Sequence, residues 1–367
     1  MSRPLAWAVA VALTAAPAAL AQAPKIETKA VSFSSADGVE LQGTIYKSAK
    51  GPGSPCVILL HSLFADPNKG DWDGLAVTLA EKYTVLRFDF RGHGKSFVID
   101  AKKFWANPVN VRYMPALANK NPLPVRLDFK DFESKKPYAA QLANDILAAR
   151  VFLDQENDGG TANTSSVYLV GATDAATVGM LYIAAEWKRP SVIPQARAIS
   201  TIPATPRELD RIQSEPAGGD IAGAVWLSAT LHPSMTATAM RNLVSGPYGS
   251  PDMREKNPMW FLYGDGDKAP ATGLGMQKFF YNDVLVAKPA AAGVKLQPVK
   301  FTEMVPIKES KALVGVNLLG NQLGTEAKIL EFLEKIEKDR KSPARIPNRN
   351  YTKAPLIRAD LFGAFAK

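Results

Sequence analysis

The 367-residue chain has one cysteine, Cys56, and three histidines, His61, His93 and His232. A lone cysteine excludes a disulfide within the chain, and so few unclustered sulfur and imidazole ligands exclude a zinc-type centre. No glycine-rich loop ends in a lysine that would cradle a phosphate, so neither a cofactor nor a metal is expected. DQENDGG from Asp154 imitates the start of a calcium loop, but Glu156 stands at its third position and Ser165 at its twelfth, where a bidentate glutamate is required. Long apolar runs are also missing, except at the N-terminus. There Arg3 precedes an alanine-rich run from Leu5 to Leu20, short of the roughly 20 residues that span a bilayer. Ala19-Leu20-Ala21 is a small-x-small signature, so residues 1–21 read as a signal peptide cleaved after Ala21. The expected mature protein is secreted or periplasmic and has no transmembrane helix.

What is present is the composition of a soluble globular protein. Hydrophobic residues make up 46% and charged residues 22% of the chain, enough to build a large core and too apolar for disorder. The net charge of +9 becomes +8 without Arg3, which attracts anionic surfaces and polymers. Between Asp339 and Lys367 seven basic residues face two acidic ones, interrupted by Pro343, Pro347 and Pro355. This reads as an extended basic tail, residues 339–367, lying on the domain or on an anionic partner, polymer or protein. Aromatic and basic residues do not interleave there as they do in nucleic-acid surfaces, so no specific nucleic-acid binding is expected. The ligand itself is not legible.

KAVSFSSADGVELQGTIYKS reads as two strands joined at Asp37-Gly38. CVILLHS and TVLRFDF are continuous apolar runs, as in strands buried on both faces of a parallel sheet, and Trp72, Leu75, Ala76 and Leu79 recur at helical spacing between them. From Phe97 to Pro137 regularity disappears among prolines and aromatics, which marks an ordered excursion over the sheet edge. Helical periodicity resumes through Leu142, Ile146 and Leu153. SVYLVGA is then a strand and Ala175 to Lys188 a helix. AVWLSA, MWFLYGD and VKLQPVKFTEM follow as strands, with helices at Thr236 to Val244, Met276 to Val286 and Thr325 to Lys338. Such alternation predicts a doubly wound, mostly parallel α/β sheet with an antiparallel N-terminal hairpin and an irregular insertion at 97–137, all within one domain over 22–338.

The succession of hairpin, VILLHS, LRFDFRGHGKS, LVGATDAA and FLYGDGD resembles the α/β-hydrolase fold over about residues 30 to 338. FDFRGHGKS, from Phe88 to Ser96, is its most specific piece. The resemblance implies a G-x-S-x-G elbow whose nucleophile is Thr173, after Gly171, with Ala175 in place of the second glycine. It also implies an oxyanion hole built from the backbone N–H groups of Asp174 and Leu63, His61-Ser62 standing where a His-Gly pair would. Asp267, in GDGDK, takes the position of the triad carboxylate.

The chemistry does not follow the resemblance. An elbow holds its nucleophile at positive φ, which a β-branched residue resists, so Thr173 predicts a relaxed turn. Threonine nucleophiles that use a free N-terminal amine as base are no precedent for an internal Thr173. Asp174 puts a negative charge beside a donor meant to stabilise an oxyanion. No histidine follows Asp267, and KESKALVG offers only Lys308 and Lys311, which read as solvated lysines. His61 and His93 match architectural positions, and His232 precedes the acid in chain order. The expectation is an exported α/β-hydrolase-like protein with a degenerate triad, acting in binding or a structural role in the cell envelope. The alternative is a divergent ester or amide hydrolase using Thr173 and Asp267 with an unusual base.

Overall fold

Buried apolar runs flanked by turn residues form the centre of the molecule. The computed structural model describes residues 26–64, 68–125, 127, 138–192, 212–245, 249–286, 299–341, 343–347, 349 and 355–357. Residues 1–25, which include the expected signal peptide, lie outside them. Strands β1 (Thr28–Ser34) and β2 (Glu40–Tyr46) make the expected hairpin, with Gly38 at φ +87 in its turn. They are followed by β3 (Pro55–Leu60), helix α1 (Trp72–Ala80) and β4 (Thr84–Phe88). The excursion carries three short helices, α2 (Ala101–Ala106), α3 (Pro108–Tyr113) and α4 (Pro115–Ala118).

Next come α5 (Tyr138–Asp158), β5 (Asn163–Ala172) and α6 (Ala175–Lys188). A small antiparallel pair, β6 (Pro190–Val192) with β7 (Ile212–Pro216), was not foreseen. Strand β8 (Ile221–Leu227), α7 (Ala237–Ser245), α8 (Pro251–Lys256) and β9 (Met259–Gly264) continue the chain. Helix α9 (Leu274–Lys278) runs on as a wider π-turn, Phe279–Leu285, and β10 (Glu303–Ile307) and α10 (Thr325–Arg340) complete the set. Of the strand expected over VKLQPVKFTEM, residues up to 298 lie outside the described ones, and the observed strand starts only at Glu303.

The eight-stranded sheet has the order β1-β2-β4-β3-β5-β8-β9-β10, antiparallel where β2 meets β1 and β4 and parallel elsewhere. Alternate residues of each central strand feed opposite layers. Cys56, Ile58 and Leu60 of β3 pack with α5 and α6, whereas Val57 and Leu59 pack with Trp72 of α1 and Phe332 of α10. Cys56 is fully buried and its thiol is pushed up to about 12 by that burial, so it packs as a small hydrophobe. At Gly179 of α6 an added Cβ would stand 2.5 Å from the Trp226 ring of β8, so the helix approaches the sheet only because that side chain is missing.

The order in which strands are added reverses between β3 and β5, which are parallel: β4 lies to one side of β3, and β5, β8, β9 and β10 to the other. The crevice beyond the carboxyl ends at such a switch point is where open α/β sheets bind ligands. Ser62 and Leu63 follow β3 there, and Thr173 and Asp174 follow β5.

Past α10, Asn163 Nδ2 donates to the Pro343 carbonyl at 2.9 Å, and Arg349 pairs with Asp220 at 2.5 Å. Asn144 accepts from Ile357 N at 2.7 Å and donates to its carbonyl at 2.9 Å. The described tail residues therefore lie on the domain, and Arg349 spends its charge there.

Candidate functional site

Thr173 has φ +50, so the turn is not relaxed. Its N–H donates to Leu227 O of β8 at 2.8 Å and its carbonyl accepts from Thr230 N at 3.0 Å. These bonds fix the peptide on both sides of Thr173 and override the reluctance of a β-branched residue to enter the left-handed region. The local propensity argument for a relaxed turn is corrected by this tertiary pairing.

The fixed turn brings three of the expected residues, Thr173, Asp174 and Leu63, together with Ser62. Thr173 Oγ1 lies 2.7 Å from Ser62 Oγ and donates to Asp174 Oδ1 at 2.9 Å. Ser62 Oγ donates to the same Asp174 oxygen at 3.0 Å, and Leu63 N–H donates to it at 3.2 Å. The Asp174 backbone N–H also turns toward its own carboxylate. Both donors assigned to the oxyanion hole thus face one carboxylate. Burial raises the Asp174 pKa, opposed by the hydrogen bonds from Thr173, Ser62 and Leu63. Its second oxygen, Oδ2, is buried with no partner among the described residues.

Asp267 is buried but is bonded to none of these residues. Its Oδ1 accepts from Ala269 N at 3.2 Å and from Thr272 Oγ1 at 3.1 Å, closing its own loop. Lys308 and Lys311 are exposed. From the segment in which the resemblance seeks a histidine, the residue that reaches Thr173 is Gly315. At φ +58, a Cβ there would stand 2.6 Å from the Thr173 methyl carbon. No side chain fits at that contact without displacing Thr173.

The histidines hold other parts of the frame. His61 Nε2 accepts from Phe90 N at 3.0 Å while Nδ1 faces Ser62 O at 2.8 Å, a neutral ring lowered to about 3 by burial and by the neighbouring His93. His93 bridges the Arg91 carbonyl at 3.0 Å and the Leu63 carbonyl at 2.8 Å, fixing the loop after β3. His232 is fully buried, and burial lowers it to about 4. Its Nδ1 accepts from Ser234 N at 3.1 Å, so Nε2 carries the proton and is a donor rather than a base. Asp154 lies within helix α5 and is bound by Arg150 at 3.1 Å and by Thr164, so no calcium loop forms. Among the described residues no group of His, Cys, Asp and Glu could hold a metal, and no helix is long and apolar enough to cross a membrane.

Two contributors were not singled out from sequence. The Ser62 hydroxyl had a visible signal, since serine replaces glycine in the oxyanion loop. Ser228, which follows β8 at φ +47 with its buried hydroxyl unpartnered among the described residues, had none. A surface pocket of about 430 Å³, lined by Lys47, Gly51 and Thr161 among others, sits at the amino ends of β3 and β5, away from Thr173.

No protein-family model matches the chain, and neither does any curated protein. Solved structures similar to it include a Pyrococcus furiosus esterase, Pf2001, at 15% identity and TM-score 0.47, covering 84% of this chain and 93% of that one. Est1E from Butyrivibrio proteoclasticus with ferulic acid bound has 14% identity and TM-score 0.46, over 83% and 99%. Esterase 2 of Thermogutta terrifontis, phosphoramylated by tabun, has 14% identity and TM-score 0.44, over 88% and 97%. The mixed eight-stranded sheet, its antiparallel hairpin and the flanking helices give this chain an α/β-hydrolase fold.

Proposed function

We propose that the protein is an exported α/β-hydrolase-like protein that works by binding, or in a structural role, in the cell envelope rather than by hydrolysis. One observation carries this reading: the Asp174 carboxylate accepts the Leu63 N–H on which an ester oxyanion would depend. A substrate carbonyl approaching Thr173 would have to displace a buried carboxyl group. The charge developing in the transition state would find the Leu63 donor already taken by that carboxyl group instead of preorganised for it. The missing base supports the same conclusion, because Gly315 packs against Thr173 and, among the described residues, the Thr173 hydroxyl is bonded to Ser62 and Asp174 rather than to an imidazole.

The test is hydrolysis of p-nitrophenyl acetate by the purified wild type and by Thr173→Ala. Wild-type release of nitrophenol at the buffer rate is expected. Turnover that Thr173→Ala abolishes would overturn the proposal in favour of a divergent ester hydrolase. Export is checked separately by expressing the whole chain in a bacterium and sequencing the N-terminus of the periplasmic fraction, which should begin at Gln22.

A further inference from the structure

The excursion after β4 uses one set of apolar side chains to hold itself down and leaves another facing out. Ile99, Ala101, Phe104, Met114 and Leu117 are buried in the core beneath it. Asn110 Nδ2 donates to Asp37 O and to Phe104 O, both at 2.9 Å, and Asn107 Nδ2 donates to Ala36 O at 3.2 Å, so α2 and α3 are fastened to the β1–β2 turn. Trp105 Nε1 donates to Pro124 O at 3.0 Å, which lays residues 123–125 along α2. The anchored segment nevertheless exposes Phe97, Val98, Val111, Leu123 and Val125, five of the eight large hydrophobics exposed among the described residues. Val98 is 78% exposed and Val125 is 90% exposed.

Charge accompanies them. Lys95, Lys102, Lys103, Arg112 and Lys120 are exposed between residues 94 and 125, against one acid, Asp100, whose carboxylate caps α2 through Lys103 N. We propose that this outward face of residues 95–125 docks the protein on an anionic lipid surface. Basic residues alone would fit any polyanion. Valine and leucine held out on a fastened scaffold gain nothing from a soluble polyanion, but they gain burial at the headgroup and acyl boundary. The segment begins beside the candidate site, since His93 bridges the turn before it to Leu63, so docking would bring the Thr173 crevice near the lipid surface. The inference does not depend on whether Thr173 turns over an ester.

Flotation with vesicles tests it, using the chain from Gln22 onward so that the apolar leader does not contribute. Phosphatidylcholine vesicles containing phosphatidylglycerol should bind the protein, pure phosphatidylcholine vesicles far less, and salt should release it. Lys102→Gln with Lys103→Gln should weaken binding roughly 25-fold, about five-fold per cation. Val98→Ser with Val125→Ser should weaken it by about ten-fold, because each valine loses part of its burial. All four residues are exposed, and circular dichroism checks that each variant folds. Three results would overturn the proposal: no binding to either vesicle, loss only on neutralising Lys353 and Arg358 of the tail, or binding indifferent to the valine pair. The last would point instead to a soluble polyanion.

Discussion

Two anionic sites are buried at the carboxyl ends of the sheet, and they are built in opposite ways. In one, Arg91 is fully buried between Asp37 and Asp145, donating to the first at 2.6 Å and to the second at 2.6 Å and 2.9 Å, while its own N–H reaches Asp145 at 3.0 Å. Burial alone would lower the Arg91 pKa, but the two carboxylates raise it, and the cation is permanent. Burial likewise works to raise Asp37, but Arg91 holds it below the usual carboxylate range. In the other site Asp174 has no cation beside it among the described residues, and its donors crowd onto one oxygen while the second has none among them. The first arrangement is finished and belongs to the frame. The second is an incompletely satisfied centre at the switch point, where a protein keeps such groups only if the surrounding turns hold them.

The largest expected effect comes from breaking the finished site. Arg91→Met removes the cation and leaves two buried carboxylates facing each other, which should cost about 3–5 kcal/mol in urea unfolding. Asp174→Asn, which keeps the acceptor shape and removes the charge, should change stability by less than about 1 kcal/mol. Similar losses at both positions would mean that the two sites do not differ as described.

Next in size is the packing beside Thr173. Gly315→Ala introduces a methyl 2.6 Å from Thr173 Cγ2 at a positive φ, so a loss of about 2–4 kcal/mol is expected. In a Thr173→Ser background the obstructing carbon is gone, and the loss should fall to about 1–2 kcal/mol, the backbone contribution alone. An undiminished loss in that double-mutant cycle would show that Gly315 does not bear on Thr173.

Acid stability separates the histidines that support the crevice from the permanent charge of Arg91. An unfolded His232 takes up a proton near 6.5, whereas the folded one resists down to about 4 because it is buried. Between these values the unfolded chain holds more protons. The contribution is therefore fully present above pH 6.5 and is lost as pH falls toward 4. The slope is about 1.4 kcal/mol per pH unit for one such ring. His232→Asn, whose side-chain oxygen can accept from Ser234 N, should flatten the acid limb of urea-unfolding stability by that amount and leave the region above pH 7 parallel to wild type.

Local signals were legible and long-range ones were not. The Asp37-Gly38 turn, the buried runs of β3 to β5 and the Gly171 elbow are written in adjacent residues. The insertion looked irregular because prolines punctuate it, yet Pro108 and Pro115 stand at the first turns of α3 and α4, where the missing N–H costs nothing, and Asn107 caps α3 through Val109 N. The direction of the Asp174 carboxylate depends on Leu63, 111 residues away, and the contact of Gly315 with Thr173 depends on the loop after β10. Neither pairing has a signature within its own stretch of chain. The same is true of the strained Thr173 turn, where propensity pointed the wrong way because Leu227 and Thr230 fix the backbone.

That strain yields the smallest effect and the most direct reading of the elbow. Replacing Thr173 by alanine or by glycine removes the hydroxyl and the methyl alike, so both variants lose the same bonds to Ser62 and Asp174. They differ in backbone cost, since a Cβ at φ +50 is disfavoured by roughly 1 kcal/mol and glycine accepts it freely. Thr173→Gly should therefore be the more stable of the pair by about 1 kcal/mol in urea unfolding. Elsewhere alanine is favoured, because glycine leaves the unfolded chain more freedom to lose. A Thr173→Ala variant as stable as Thr173→Gly or more so would mean that the turn relaxes in solution. The triangle of Thr173, Ser62 and Asp174 would then lose the rigid support on which its contrast with the Arg91 site depends.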